Sequence, residues 1–358
     1  MWPDRRIIDL FGIEFPILQA PMAGPCYADM AIAVAQAGGL GSLPTATLTP
    51  DQMRSELQII RQQTAKPINL NFFCHQAPEI DAAREAAWRK RLGPYYAEFS
   101  IDPAAPIPSS NRTPFDDALC RLVEEFKPEI VSFHFGLPEK DLLTRVRRTG
   151  AKIISSATSV DEAVWLENRG CDAIIAQGSE AGGHRGIFLG DPFDVIGTQA
   201  GTMALVPQVV DAVKVPVIAA GGIGDARGIV AAFALGAAAV QIGTAYLFCP
   251  EARITAMHRV ALQGAKDNQT ALTNVFTGRP ARGLLNRAMR ELGPIAHEAP
   301  AFPMAGGALA PIKAKAEAQG SGDFSSLWSG QAASLGRDLR AGDLTKLLAA
   351  EALEKMKR

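Results

Sequence analysis

The chain's 358 residues carry 36 Lys and Arg against 37 Asp and Glu, a net charge of −1, which removes any bulk electrostatic case for nucleic acid or an anionic membrane as partner. At 47% hydrophobic and 20% charged residues the composition is globular, with enough chain to bury one large α/β core or two smaller ones. No apolar run reaches the roughly 18 residues that a membrane-spanning helix needs. The opening MWPDRRIIDLFGIEFP has no secretory apolar core, and the five cysteines are scattered without CxxC spacing, so reduced thiols in a cytoplasmic protein are expected rather than a disulfide framework or a zinc site.

Short apolar runs alternate with helical patterns along the chain, as in parallel α/β folds. The first three are Pro16 to Met22, Leu40 to Thr45 and Pro67 to Phe73. Between the second and third, Thr49, Pro50 and Gln52 mark a helix start with a capping box and a proline at the first position. An insertion from Cys74 to Thr113 follows, Pro-rich and charged, with a short helix expected over DAAREAAWRKRL and a place over one end of the fold or as a lid. The fourth to sixth runs are Glu129 to Phe135, Ala151 to Ala157 and Cys171 to Gln177; Ser159 and Glu162 predict another capping box, and Gly170 a left-handed helix end. The seventh and eighth are Pro216 to Gly222 and Ala238 to Thr244, with a helix between them opened by Asp225 and closed by Gly236. Beyond them lie a helix from about Ala252 to Gln263, then Gly- and Pro-rich loops, and an amphipathic last helix within Leu335 to Lys357.

Eight β/α units predict a (β/α)8 TIM barrel with an insertion after strand three and a C-terminal helical extension. The expected division is 1–250 plus 335–358 as barrel, 74–113 as insertion or lid, and 251–334 as an extension packing on the barrel. An open dinucleotide-binding sheet is disfavoured, because GGIGDARG lacks the G-x-G-x-x-G spacing.

Chemistry in such barrels sits at the C-terminal strand ends, with phosphate after strands seven and eight. Those ends read AAGGIGD and QIGTAYL, where Gly221, Gly222, Gly243 and Thr244 offer backbone amides and a hydroxyl to an anion. Gln19 from strand one, Asn69 and Asn71 from strand three and Gln177 from strand six supply amides that suit a planar heteroaromatic edge. After strand six, QGSEAGGHRG places a lone histidine, His184, in a glycine loop; its ordinary pKa suits proton transfer near neutrality. His134, at the end of strand four, is a weaker candidate for substrate contact. His75, His258 and His297 have no metal-ligand spacing. Glu180 either orients His184 or is a solvated loop carboxylate. Arg279 and Arg282 either hold a substrate anion or stabilise a turn.

The ordered set PILQAPMAG, GGLGSLPTA, INLNFF, IIAQGSEAGGHRG, PVIAAGGI, AVQIGTAYL and NVFTGRPARGLLNR resembles the nitronate monooxygenase family, formerly the 2-nitropropane dioxygenases, from about Pro16 to Arg287, and LWSGQAA near the end also looks like it. The resemblance implies an FMN-binding barrel without a metal. It implies Pro21, Met22 and Asn71 near the flavin ring, Gln177 and Gly182 at the end of strand six, Gly222 at the phosphate, and Gln241, Ile242, Gly243 and Thr244 closing the phosphate loop. His184 matches the family's catalytic base. The implied reaction passes one electron from an alkyl nitronate, or a nitroalkane first deprotonated, to FMN and on to O2, yielding a carbonyl compound and nitrite. Its partners would be small molecules, with no nucleic acid or membrane. The same motifs look similar to those of FMN-dependent NAD(P)H reductases of the enoyl-acyl carrier protein or quinone type, which stand as the alternative. A non-catalytic phosphate-ligand barrel is a further, weaker one.

Overall fold

Runs of Ile, Val and Ala with small polar residues at alternate positions form eight parallel strands: β1 Ile17–Gln19, β2 Gly41–Pro44, β3 Ile68–Phe73, β4 Ile130–His134, β5 Lys152–Ala157, β6 Ala173–Gln177, β7 Val217–Ala220 and β8 Ala239–Ile242. The computed structural model describes residues 1–108 and 112–357. The strands neighbour one another in the order β1-β8-β7-β6-β5-β4-β3-β2. A parallel bridge from Leu18 to Leu40 joins the two ends and closes the barrel. Each expected run contains one strand, and helices fill the connections as a (β/α)8 barrel requires.

The two-residue period of a strand sorts the side chains. Leu18, Ile130, Ile154, Ile175, Ile218 and Ala239 point inward and pack with Ile7, Phe11 and Ile13 of the N-terminal segment. The helix Arg6–Phe11 therefore contributes to the barrel's interior core. The alternate positions Val131, Phe133, Ile153, Ile174, Val217 and Val240 face outward into the larger core under the helices. The terminal helix Ala341–Lys355 closes the ring by packing on Ala28–Gln36 and Ala226–Ala234.

Local signals decided most helix ends. Thr49 and Gln52 form the reciprocal capping box, Asp225 caps the helix after β7 by accepting from Arg227 N, and Gly170 and Gly236 take left-handed φ of 80° and 91°. Ser159 also caps its helix, accepting from Glu162 N. The Glu162 side chain, however, does not complete a box with Ser159. Its carboxylate is 1% exposed and accepts from Thr158 N and Oγ1 and from Phe188 N and Leu189 N.

Three expectations need correction. The insertion helix is not short: it runs Ala82–Glu98, through Gly93 and Pro94. Packing outweighs the breakers, because Trp88, Leu92, Tyr95 and Tyr96 are buried against Ala305, Ala308, Leu309 and Ile312. Trp88 Nε1 donates to Ala305 O at 3.0 Å and Tyr96 Oη to Ala308 O at 2.6 Å. Insertion and extension thus share one apolar cluster; residues 109–111 of the insertion lie outside the described residues. The helix expected from Ala252 begins at Ala256, where the Thr255 side chain caps it. The stretch beyond it is not loop alone. It holds strands Thr270–Thr273 and Ala281–Leu284 and helices Arg287–Leu292 and Ala305–Ala318. Among the described residues no helix is long and apolar enough to cross a membrane.

Candidate active site

The chain leaving β6 turns back over the barrel mouth and places Gly183–His184 as a two-residue strand against Ala281–Leu284, with Gly183 opposite Arg282 and His184 opposite Ala281. Glycine is required here twice. Gly183 has φ of 72°, and a Cβ on Gly182 would stand 2.5 Å from Gly330 N, so the extension packs directly on the loop backbone.

Three guanidiniums hold this loop by its carbonyls. Arg185 is 0% exposed and donates to Gln177 O, Gly178 O and Gln199 Oε1. Arg279 donates to Ile187 O and lies over the Phe135 ring at 4.2 Å. Arg282 Nε donates to Ser179 O at 2.8 Å. Burial pushes the Arg185 and Arg279 pKa values down to about 10. Of the two roles open to Arg279 and Arg282, the contacts show loop support. Glu180 does not reach His184: it accepts from Thr202 N and Oγ1, capping the helix Thr202–Ala212.

His184 Nε2 lies 3.0 Å from Thr277 Oγ1. Its carbonyl accepts from Gln177 Nε2 at 3.0 Å and faces His134 Nε2 at 3.2 Å. A carbonyl only accepts, so His134 carries its proton on Nε2, and its Nδ1 accepts from Ser156 Oγ at 3.1 Å. Both nitrogens of His134 are thus engaged by the protein. Around His184 stand Phe302, Trp328, Phe135 and Phe73, with ring centroids 5.2 to 6.1 Å away. This apolar setting, with Arg112, His134, Arg279 and His75 adding positive repulsion, holds the His184 pKa well below the usual histidine range. Burial likewise lowers His134 to about 3, and His75 and His258 to about 4.

A cleft open to solvent occupies the mouth. Of the residues singled out in the sequence, Pro21, Met22, Asn71, His134, Gln177, Gly182, His184, Gly221, Gly222, Gln241, Gly243 and Thr244 line it. Ile242 does not: the strand period turns its side chain into the outer core. Gln19 and Asn69 also fail to reach it. Gln19 Oε1 accepts from Ser42 N, and Asn69 Nδ2 donates to Ser42 Oγ, within the barrel. His75 is buried beside Phe302 and His297 is exposed.

Four wall residues were not among the expected site residues. Arg112 arrives on the return from the insertion, Ser156 from β5, His258 from the helix Ala256–Gln263, and Trp328 from the extension. Gly330 N donates to Thr244 Oγ1 at 2.9 Å, drawing LWSG over the strand-eight end. No Asp or Glu is among the described residues that line the cleft.

Comparison with known proteins decides the family. The family model for nitronate monooxygenase matches residues 4–351. The chain belongs to the nitronate monooxygenase family. It is 42% identical to a nitronate monooxygenase of Paraburkholderia phytofirmans, over 97% of this chain and 94% of that one. It is 41% identical to one of Pseudomonas aeruginosa, over 97% and 98%. Among solved structures it is similar to a nitroalkane oxidase from Streptomyces ansochromogenes, with TM-score 0.89 and 38% identity over 98% and 99% of the two chains. A structure of FabK from Thermotoga maritima follows at TM-score 0.75 and 29% identity, over 100% and 98%. As a nitronate monooxygenase family member the chain is an enzyme that oxidises nitronates or nitroalkanes.

Proposed function

We propose that the cleft holds FMN and that the enzyme oxidises alkyl nitronates, and neutral nitroalkanes after proton removal, with O2 to a carbonyl compound and nitrite. The observation that carries this reading is the make-up of the wall. Arg112 supplies a positive charge beside the neutral imidazoles of His134, His184 and His258, and no carboxylate is among the described lining residues. Such a wall favours an anion, and a histidine held neutral beside it is a base for a carbon acid.

The residues also fit the flavin. Gln241 Oε1 is buried on this wall without a hydrogen-bond partner, an acceptor suited to a ring N–H or a ribityl hydroxyl. Gly221, Gly222, Gly243 and Thr244 would hold the phosphate. Pro21, Met22, Asn71, Gln177 and Gly182 would border the ring system. FMN, when bound, supplies the electron transfer from nitronate to O2.

The protein's own part is binding and proton handling. Arg112 would draw the nitro or nitronate oxygens by charge-assisted hydrogen bonding. His184 would take the α-proton of a neutral nitroalkane, and the electron pair of that C–H bond would pass to the nitro group. The aromatic wall around His184 limits competing water.

A visible spectrum of the purified protein, followed by separate anaerobic additions of propionate 3-nitronate and NADH, tests the reading. Flavin bands that change on nitronate alone support it. Full bleaching by NADH with no response to nitronate would make the enzyme an NAD(P)H-dependent flavin reductase, and a colourless protein would remove the cofactor. In His184→Asn, flavin should stay bound while kcat/KM on a neutral nitroalkane drops about 100-fold or more, the usual scale for a lost general base.

A further inference from the structure

We propose that Thr277 is a positioning residue that keeps the proton of neutral His184 on Nε2, so that Nδ1 is the nitrogen that receives the substrate proton. The inference rests on the reading of His184 as the base. Thr277 is 2% exposed and does not line the cleft. Its Oγ1 has two neighbours of different kind: His184 Nε2 at 3.0 Å and Arg279 O at 3.3 Å. The hydroxyl has one proton to give, and a carbonyl can only accept. Once that proton goes to Arg279, the oxygen lone pair meets Nε2, which must then be the protonated nitrogen. The imidazole lone pair is left on Nδ1.

The threonine is itself held. Its N–H donates to Asn274 O at 3.3 Å, and the Asn274 amide is clamped to Ala296 N and O at 2.9 and 2.8 Å. The same segment pairs Ala281 with the His184 backbone. One connection, Asn274 to Ala281, therefore sets both the position of the histidine and the direction of its ring. During proton abstraction the C–H proton moves to Nδ1 and its electron pair to the nitro group. Nε2 keeps its proton, and the Thr277 oxygen faces the charge that develops on the ring.

The test uses holoenzyme with 15N-labelled histidine, as wild type, Thr277→Ser and Thr277→Val, with the His184 signals assigned by their loss in His184→Asn. The expected wild-type spectrum has a pyrrole-like Nε2 and a pyridine-like Nδ1, retained in Thr277→Ser and shifted toward the other tautomer in Thr277→Val. The ratio of kcat/KM for a neutral nitroalkane to that for its nitronate should drop roughly 3- to 10-fold in Thr277→Val, the scale of one neutral hydrogen bond, and recover in Thr277→Ser. A wild-type proton on Nδ1, or an unchanged tautomer in Thr277→Val, overturns the assignment. Should the wild type turn over neither substrate while Nε2 stays protonated, the assignment of Thr277 stands and the proposed reaction is what fails.

Discussion

Replacing Glu162 by Gln should destabilise the enzyme by about 3 kcal/mol, and the hydrogen bonds give the reason. The carboxylate accepts at Oε2 from Thr158 N and Oγ1, at 2.6 and 2.7 Å, and at Oε1 from Phe188 N and Leu189 N, at 2.7 and 3.2 Å. It thereby ties the start of the helix Val160–Asn168 to the chain leaving His184. Glutamine has nearly the same shape but only one acceptor oxygen. With that oxygen toward Phe188 and Leu189, its amide NH2 meets the Thr158 N–H; the Thr158 hydroxyl can rotate to accept, but the backbone N–H cannot. One buried N–H without an acceptor costs about 1–3 kcal/mol, and two charge-assisted bonds weaken to neutral ones by about 1 kcal/mol each. Relief from burying a charge offsets part of this. At about 2.1 cal/mol/K per residue, the 358 residues unfold with about 0.75 kcal/mol per degree, so Tm should drop by about 4 °C. Scanning calorimetry at pH 7 measures it, with a guanidinium titration as a second readout. A drop under about 1 °C would refute the claim that four donors depend on this carboxylate.

Three further outcomes are expected. Arg112→Gln should raise KM for a nitronate by about 10- to 100-fold, the range of one charge-assisted hydrogen bond, with a smaller change in kcat; steady-state kinetics showing the opposite split would remove Arg112 as the anion contact. Trp88→Ala empties a fully buried site between insertion and extension and should cost about 3–5 kcal/mol, read as a guanidinium midpoint shifted down; an unchanged midpoint would mean that this cluster adds little to global stability. The acid limb of stability follows from the histidines. His134 lies near 3, His75 and His258 near 4, and His184 is also lowered. The unfolded chain, with ordinary histidines near 6.5, therefore binds more protons below that pH. Stability is full above about 6.5 and is lost as pH drops toward 4, by up to about 1.4 kcal/mol per pH unit for each histidine. A Tm constant from pH 7 to pH 5 would contradict the neutral, buried state of these rings.

The barrel was readable because its signals are local. Eight apolar runs of strand length, capping residues such as Thr49 and Asp225, and glycines such as Gly170 and Gly236 each act within a few residues of themselves. The strand-end residues were readable for the same reason: strand period places Gln177 and Gln241 at the cleft once the barrel is assumed. The same period turns the Ile242 side chain, one residue past Gln241, toward the helices. Asn69 shares the inward face with Asn71 but lies one layer deeper, bonded to Ser42.

Other features depend on partners far along the chain. The insertion helix continues through Gly93 and Pro94 because Ala305–Ala318 covers its apolar side. Arg112 and His258 reach the cleft from segments whose own patterns look like ordinary loop or helix. Glu180 and Glu162 look like a loop carboxylate and a capping-box partner, and their positions 22 and 26 residues from Thr202 and Phe188 gave no hint of those bonds. The sequence alone determined the barrel, its cleft-facing strand ends and the presence of a histidine above them. Only the tertiary structure decided what surrounds that histidine, because hydrogen bonds and ring contacts form between whichever groups the fold brings within a few ångströms, and chain separation carries no record of that distance.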